Sequence, residues 1–206
     1  MKVILLNGSP KSNGNTFIAL NEVSESLNAE GIDTEIVHVG SNHIRGCLAC
    51  GQCNNLKECV TRDLVNEVLA KFKDADGLIV GSPVYYASPA GTLISFLDRL
   101  FFSAKFDKTM KVGASVAVAR RGGTTATFDV LNKYFTISNM PIVSSNYWNN
   151  VHGAAPGEAK EDAEGLQTMR RLGKNMAFLI KAIRLAKESI PLPTLDEQRQ
   201  ITNFIR

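Results

Sequence analysis

Residues 3–16 read VILLNGSPKSNGNT, and this stretch decides how the chain begins to fold. Its first four residues are apolar and predict a strand that is buried on both faces. A turn rich in Gly, Ser and Pro follows, and apolar residues then recur with helical spacing over 16–29. A strand that passes through such a turn into a helix presents backbone N–H groups and the positive end of a helix dipole to an anion. The stretch 7–16 therefore predicts a phosphate-binding turn, with an ordinary capped turn as the alternative.

The side chains of this turn favour an anion as well. Hydrogen-bond donors stand at Ser9, Asn15 and Thr16, and Lys11 supplies a cation. Two common nucleotide-binding motifs are absent, because the stretch has no Gly-x-Gly-x-x-Gly and carries Asn15 where a Walker A motif has its lysine. The turn is thus predicted to bind phosphate in neither of those two ways.

Composition and charge exclude several classes of protein. The chain has 206 residues, of which 44% are hydrophobic and 21% charged, and this fits one globular domain. A net charge of +3 without a cluster of Lys and Arg predicts no nucleic-acid partner. The apolar runs are too short to cross a bilayer, so no membrane association is expected. Because the chain starts in a predicted strand without a signal peptide, we expect a cytoplasmic protein with reduced thiols.

Strand and helix patterns alternate along the chain. Strands are predicted at 2–6, 33–39, 77–81, 111–119 and 141–147, and helices at 16–29, 63–73, 90–103, 125–138 and 160–188. This alternation predicts an α/β fold, namely a flavodoxin-like, doubly wound, five-stranded parallel sheet in the order 2-1-3-4-5 with helices on both faces. The domain is expected to span 1–188 and to include a Cys-rich loop at 45–60. The tail at 189–206 is expected either to fray or to clasp a neighbouring subunit.

Two further loops are chemically unusual at the sheet edge where folds of this kind bind ligands. The loop at 81–91 reads GSPVYYASPAG, and its prolines stiffen a surface of two tyrosines on which a flat ring can rest. The loop at 120–123 reads RRGG, where glycines let backbone N–H groups approach a ligand beside two cations. Near the N1/O2 edge of a flavin, such donors and cations would stabilise the anionic hydroquinone. Each loop alone also fits a structural role, as packed tyrosines or as a solvated basic turn. Since three such loops share one edge, we favour a ligand site.

Taken together, the motifs GSPK at 8–11, NT at 15–16, SPVYY at 82–86, DR at 98–99 and RRGG at 120–123 resemble the NADPH-dependent FMN reductase family. The chain is especially similar to the iron–sulfur flavoprotein branch, from residue 1 to about residue 188. The resemblance implies an oxidoreductase with FMN as cofactor. It places the FMN phosphate at Ser9, Pro10, Lys11, Asn15 and Thr16, the ribityl chain and ring along Pro83, Val84, Tyr85 and Tyr86, and the pyrimidine side at Arg120, Arg121, Gly122 and Gly123. Lys11 stands where the family often has Arg. The lysine keeps the positive charge but lacks the bidentate fork of the guanidinium.

The cysteines form the other distinctive motif. They lie within thirteen residues, with the spacing C-x2-C-x2-C-x5-C, at Cys47, Cys50, Cys53 and Cys59. Four soft thiolates on one compact loop suit a [4Fe–4S] cluster. The iron–sulfur flavoproteins that the chain resembles have a compact motif that these positions match one for one. Other interpretations stay open, namely a redox-active pair at Cys47 and Cys50, a zinc site, a disulfide, or a relative that keeps the cysteines without a cluster.

The predicted function is that of an FMN-binding redox flavoprotein, similar to NAD(P)H-dependent FMN reductases, that passes electrons between FMN and the cluster. The alternatives are a cluster-free NAD(P)H:quinone or FMN reductase and a non-catalytic flavin or thiol redox sensor. The expected electron donor is NAD(P)H or reduced ferredoxin, and no side chain is assigned as acid or base. A homodimer or homotetramer is expected, with Trp148 and His152 at a subunit contact, as caps on the core, or near the flavin. Asp98 and Arg99 are expected to form an ion pair at a helix end.

Overall fold

The computed structural model describes residues 1–193 together with 200, 202 and 204, so most of the predicted subunit-clasping tail at 189–206 lies outside the described residues. The strands are β1 (Lys2–Asn7), β2 (Asp33–His38), β3 (Gly77–Tyr85), β4 (Ser88–Pro89), β5 (Val112–Ala119) and β6 (Asn150–His152). The helices are α1 (Asn15–Ala29), α2 (Cys53–Leu56), α3 (Leu64–Asp74), α4 (Gly91–Ser103), α5 (Thr124–Thr136) and α6 (Ala163–Ala186). A short 3₁₀ helix at Glu158–Lys160 precedes α6.

The strands form a parallel sheet in the order β2-β1-β3-β5-β6. The predicted α/β class with a parallel sheet is confirmed. The predicted five strands in the order 2-1-3-4-5 need correction, because a sixth strand, β4, pairs antiparallel with the end of β3. This two-residue strand is too short to leave a periodic pattern in the sequence.

Two of the predicted strand boundaries are wrong. The third strand does not end at 81, because Ser82 and Pro83 continue the pairing with β5 and the next two residues pair with β4. The last strand is not 141–147 but β6. Ile142 forms only an isolated bridge to Gly113, and the Ser145 hydroxyl donates to the Tyr147 carbonyl at 2.6 Å, which bends the chain away from the sheet.

Alternate residues of β1 point to opposite faces of the sheet and fill two separate cores. Val3 and Leu5 belong to the core beneath α1 and α6. Ile4 and Leu6 belong to the core beneath α3, α4 and α5. All four side chains are fully buried, so the apolar run at 3–6 is explained by helices on both faces, as predicted. Among the described residues, no helix is long and apolar enough to cross a membrane.

Candidate functional site

The turn after β1 is shaped from inside by the buried side chain of Asn7. Its Oδ1 accepts a hydrogen bond from the Ser9 backbone N–H at 3.1 Å, and its Nδ2 donates to the Ser12 carbonyl at 3.1 Å. The Gly8 N–H donates to the Gly81 carbonyl at 2.8 Å and ties the turn to β3. Sequence reasoning assigned no role to Asn7. An Asn directly before a Gly-Ser-Pro turn is the local signal for such an internal hydrogen bond, since its side chain can accept from the N–H two residues on.

The same turn is held from the side of β2 by His38. The Nε2 atom of His38 lies 2.8 Å from the Ser9 carbonyl oxygen, and the Ser41 hydroxyl lies 3.3 Å from Nδ1. The Ser9 hydroxyl accepts from the Lys11 N–H at 3.2 Å. The backbone of the turn is therefore fixed by Asn7 and His38 before any ligand is present, which lowers the cost of binding.

Helix α1 begins at the outer end of this turn. It has no side-chain cap and no acidic residue in its first turn. Its first backbone N–H groups consequently have no acceptor within the helix, and they carry the partial positive charge of the helix dipole. With the exposed Lys11 beside it, this end of α1 has the charge and the free donors that suit an anion.

An open cleft of about 290 Å³ lies beside the turn, at the carboxyl edge of the sheet. Predicted residues from all three loops line it, namely Ser9, Pro10, Lys11, Asn15, Thr16, Pro83, Val84, Tyr85 and Arg120. The structure therefore brings together the three loops that the sequence singles out. Tyr86, Arg121, Gly122 and Gly123 do not line this cleft.

One wall of the cleft was not predicted. It is formed by Gly153, Ala154 and Pro156, in the loop that follows β6. The sequence GAAPG at 153–157 is a clear loop signal. Because the last strand was predicted at 141–147, this loop was not recognised as lying at the binding edge of the sheet.

Asn15 joins this wall to the start of α1. Its Nδ2 donates to the Ala155 carbonyl at 2.9 Å, and its Oδ1 accepts from the Gly157 N–H at 3.0 Å and the Ala159 N–H at 3.3 Å. The carboxylate of Glu158 accepts from the N–H groups of Ala154 and Ala155, and these backbone hydrogen bonds lower the pKa of Glu158. The side chain of Asn15 thus fixes the 153–157 loop to the start of α1 by hydrogen bonds.

The tip of the β3–β4 hairpin lies beside the cleft. Tyr86 and Ala87 occupy the turn with φ angles of 51° and 56°, a left-handed pair that usually requires Asn and Gly. Tyr86 is fully exposed, whereas Tyr85 is about half exposed and lines the cleft. A Cβ on Gly123 would lie 2.8 Å from the Cα of Ala87, so the 120–123 loop packs directly against this hairpin.

All four cysteines line one small pocket, together with Arg99 and Phe102. They are free thiols: Cys53 is buried, Cys59 is partly buried, and Cys47 and Cys50 are exposed. Within the described part of the chain, no three His, Cys, Asp or Glu side chains are close enough to share one metal ion. The predicted grouping of the cysteines at one place is observed, and the disulfide alternative is not.

Arg99 has partners in the structure that the sequence did not reveal. Its side chain is 2% exposed and donates to both carboxylate oxygens of Asp63, at 2.7 and 2.9 Å. Its Nε lies 3.3 Å from the sulfur of Cys59. Burial by itself lowers the pKa of Arg99, but the hydrogen bonds to Asp63 and Cys59 outweigh it and raise the pKa above its ordinary value. Arg99 therefore remains a cation beside the cysteines.

The expected pairing of Asp98 with Arg99 is wrong. Neighbouring residues on a helix point in different directions, and Asp98 accepts instead from the hydroxyl of Tyr134 at 2.5 Å. Partial burial and this hydrogen bond to Asp98 raise the pKa of Tyr134. Arg99 forms its ion pair with Asp63, which is 36 residues away.

Neither Trp148 nor His152 lines the cleft. Trp148 is about half exposed and packs edge-on against Tyr147. The Nδ1 atom of His152 lies 3.6 Å from a carboxylate oxygen of Asp162, which also accepts from the His152 N–H. His152 therefore ties β6 to the start of α6.

Helix α4 begins beside the turn that follows β1 and ends at the cysteine pocket. At its start, Ala90 donates to the Ser82 hydroxyl at 2.9 Å, and Leu93 lies under Gly8, where a Cβ would be 2.5 Å from it. Two turns further on, Arg99 and Ser103 line the cysteine pocket. At a rise of 1.5 Å per residue, Arg99 and Ser103 lie about 9–15 Å along the helix axis from Leu93.

Solved structures with the same architecture place the chain in the flavodoxin-like fold. RosB with a bound riboflavin-phosphate intermediate aligns with a TM-score of 0.67 at 15% identity, over 100% of this chain and 92% of RosB. A flavodoxin from the domain Archaea aligns with a TM-score of 0.58 at 16% identity, over 88% of this chain and 99% of the flavodoxin. At these identities the likeness concerns the fold alone.

Sequence comparison gives the family. The profile of the NADPH-dependent FMN reductase family matches residues 1–155. An iron-sulfur flavoprotein of Methanocaldococcus jannaschii is 37% identical over 192 residues, which cover 89% of this chain and 100% of that protein. An iron-sulfur flavoprotein of Methanosarcina thermophila is 29% identical over 188 residues, which cover 89% of this chain and 97% of that protein. The chain belongs to the NADPH-dependent FMN reductase family, as the motifs predicted, and is an oxidoreductase with a flavin redox function.

Proposed function

We propose that the protein binds FMN in the cleft beside the 9–16 turn and exchanges electrons between FMN and a [4Fe–4S] cluster held by the four cysteines. The observation that carries the first half is the convergence of three predicted loops on one cleft at the carboxyl edge of the sheet. FMN supplies reversible two-electron chemistry and can release its electrons singly. The protein contributes position, charge and a contact surface for the ring.

The phosphate is assigned to the end of α1. Ser9 and Thr16 supply hydroxyl donors, the first turn of α1 supplies backbone N–H groups, and Lys11 supplies a cation. Asn15 takes part mainly by holding the 153–157 wall in place. Because Asn7 and His38 already fix the backbone of this turn, little order has to be created when the phosphate binds.

The ring is assigned to the apolar part of the cleft. Pro83, Val84 and Tyr85 form one side of it, and Val118 and Ala119 lie at its floor. Arg120 is the cation of this part, and the 120–123 loop is the source of backbone donors for the pyrimidine side. The outer rim of the ring site is assigned to the β3–β4 hairpin and the 120–123 loop, which pack against each other. The residues assigned to this rim are Tyr86, Arg121, Gly122 and Gly123.

The cluster is assigned to the cysteine pocket because all four thiols line it. An iron–sulfur cube takes one thiolate at each of its four corners. The similar proteins of Methanocaldococcus jannaschii and Methanosarcina thermophila are named iron-sulfur flavoproteins, which supports the same assignment. A cluster there would supply one-electron transfer.

The partners follow from the same assignment. NAD(P)H is proposed as a donor because of the family, and reduced ferredoxin because the cluster accepts single electrons. A homodimer or homotetramer is proposed from the apolar side chains left exposed, of which Phe102, Ile137 and Phe178 are examples. A cytoplasmic location remains a prediction that fits the four free thiols.

Anaerobic stopped-flow reduction of the FMN-loaded protein tests the proposed function. NADH, NADPH and reduced ferredoxin are mixed separately with the protein, and the loss of the visible absorption of oxidised flavin is followed over time. Free FMN under the same conditions is the reference. We expect at least one donor to reduce bound FMN faster than free FMN. Reduction by no donor above the free-FMN rate would favour the sensor alternative, and reduction by NAD(P)H without iron would favour the cluster-free reductase.

A further inference from the structure

Arg99 is a buried charge that the flavin cleft does not use. Its side chain is 2% exposed, lies on the third turn of α4 and lines the cysteine pocket, whereas it is not among the residues that line the cleft. A buried guanidinium is costly unless its donors are paired. Here every polar edge of the group has an acceptor, and the pattern of these acceptors indicates what the residue does.

The two ends of the guanidinium fork are fixed by Asp63. Nη1 donates to Oδ2 at 2.7 Å and Nη2 donates to Oδ1 at 2.9 Å, while Nη2 also donates to the Thr61 carbonyl at 3.0 Å. Asp63 is itself fixed, because its Oδ1 accepts from the Val65 N–H at 3.0 Å and caps α3. This geometry leaves the Nε–H of Arg99 directed at the sulfur of Cys59, 3.3 Å away.

Cys59 is the best-anchored of the four thiols. The side chain of Asn66 accepts from the Cys59 N–H at 3.1 Å and donates to the Cys59 carbonyl at 2.8 Å. Cys59 is thus held at both backbone groups and at its sulfur. Cys53 has one long sulfur contact, 3.8 Å to the Phe102 carbonyl, and Cys47 and Cys50 are exposed.

We propose that Arg99 is a positioning residue that fixes Cys59 as a cluster ligand and raises the reduction potential of the cluster by donating a charged N–H···S hydrogen bond. The inference rests on the proposed function, because it assumes that Cys59 is a ligand. A donor on a ligand sulfur withdraws electron density and stabilises the more negative, reduced cluster. Asp63 keeps the fork in place, and it also compensates the charge, so that the hydrogen bond rather than a net charge acts on the sulfur.

The test is the reduction potential of the cluster in a double variant, Asp63→Asn with Arg99→Met. Asn is a good helix cap, Met has no donor, and the net charge of the protein does not change. Dye-mediated titration with dithionite, monitored by electron paramagnetic resonance, gives the cluster potential, and the FMN potential in the same sample is an internal reference. We expect the cluster potential to become more negative and the FMN potential to stay unchanged.

A matched control removes an ion pair of the same charge elsewhere. Glu22 on α1 is paired with Arg170 on α6, on the opposite face of the sheet. Glu22→Gln with Arg170→Met should leave both potentials unchanged. If the Asp63/Arg99 double variant does not fold, as judged by loss of FMN binding, Arg99→Lys takes its place. That variant keeps the charge but lacks the Nε–H, and the same negative shift is expected.

The outcomes separate this inference from the proposed function. A wild-type protein that takes up no iron and sulfide contradicts the cluster assignment and the inference with it. A wild-type protein with a cluster, and a variant with full iron content and an unshifted cluster potential, overturns the inference alone. A variant that keeps FMN and loses only iron supports the positioning role of Arg99.

Discussion

Gly40 lies directly beneath Ser9, so close that a Cβ on Gly40 would be 2.1 Å from the Ser9 carbonyl oxygen and 2.5 Å from that of Gly8. The neighbouring atoms belong to backbone and cannot move aside as a flexible side chain could. The end of β2 and the proposed phosphate turn are therefore in direct backbone contact. Only glycine at position 40 permits this contact. Gly40 thus supports the proposed phosphate turn from a position outside the 7–16 motif.

We predict that Gly40→Ala displaces the turn. Affinity for FMN should fall by about tenfold or more, and stability by about 1–3 kcal/mol, because the added methyl group overlaps backbone atoms. Fluorescence titration of the apoprotein with FMN measures the first effect. Gly91→Ala is the control, because nothing lies within 4 Å of a Cβ built there. Equal FMN affinities for the two variants would show that the turn is not the binding element.

Lys11 should contribute charge to the phosphate and nothing to the ring. We predict that Lys11→Gln weakens FMN binding about fivefold at low salt, a modest effect because the side chain is exposed and screened. Binding of riboflavin, which lacks the phosphate, should not change. Lys57→Gln removes an exposed lysine from the Cys-rich loop and serves as the control. A loss of riboflavin affinity equal to the loss for FMN would contradict the assignment of Lys11.

Two substitutions of Asn15 separate the loss of its hydrogen bonds to the cleft wall from the effect of a negative charge beside the phosphate. Asn15→Ala removes the hydrogen bonds to the 153–159 segment, whereas Asn15→Asp also places a carboxylate beside the phosphate and opposite the Ala155 carbonyl. Both should bind FMN more weakly than the wild type, and Asp should be the weaker by about tenfold. Equilibrium dialysis with FMN gives the comparison. If Asn15→Asp binds as well as the wild type, the phosphate does not lie at the start of α1.

Tyr85 and Tyr86 should differ in their effects although they are neighbours. Tyr85 lines the cleft and Tyr86 is fully exposed at the hairpin tip. Tyr85→Ala should weaken FMN and riboflavin alike, by about fivefold to tenfold, because it removes an aromatic contact with the ring. Tyr86→Ala should have a smaller effect in the same titration. A larger effect of Tyr86 would place the ring on the outside of the hairpin.

Patterns local in the sequence predicted most of the fold. The apolar run at 3–6 predicted a strand buried on both faces. The segments with helical periodicity correspond to α1, α3, α4, α5 and α6, with ends that differ from the prediction by a few residues. The last strand could not be found in this way. It has three residues, two of them polar, whereas the apolar Ile142 and Val143 nearby touch the sheet through one bridge after a proline that has no N–H to donate.

The candidate site was predicted where its residues sit on loops after strands, and missed where it depends on distant contacts. Ser9, Val84 and Arg120 meet in one cleft because parallel strands end at the same edge. The contact of Arg99 with Cys59 joins residues 40 apart, and that of Asn15 with Ala155 joins residues 140 apart. No periodicity or motif records such pairs, because they arise only when the fold brings a loop against a distant helix.

The most direct test of the account is the cofactor content of anaerobically purified protein, measured as the visible spectrum together with iron and acid-labile sulfide. We predict about one FMN, about four iron atoms and about four sulfides per chain. In Cys59→Ser the iron and sulfide should be lost while FMN is kept, since the cysteine pocket shares no lining residue with the cleft. A colourless protein that cannot take up FMN contradicts the cleft assignment, and a flavin spectrum without iron after anaerobic reconstitution contradicts the cluster.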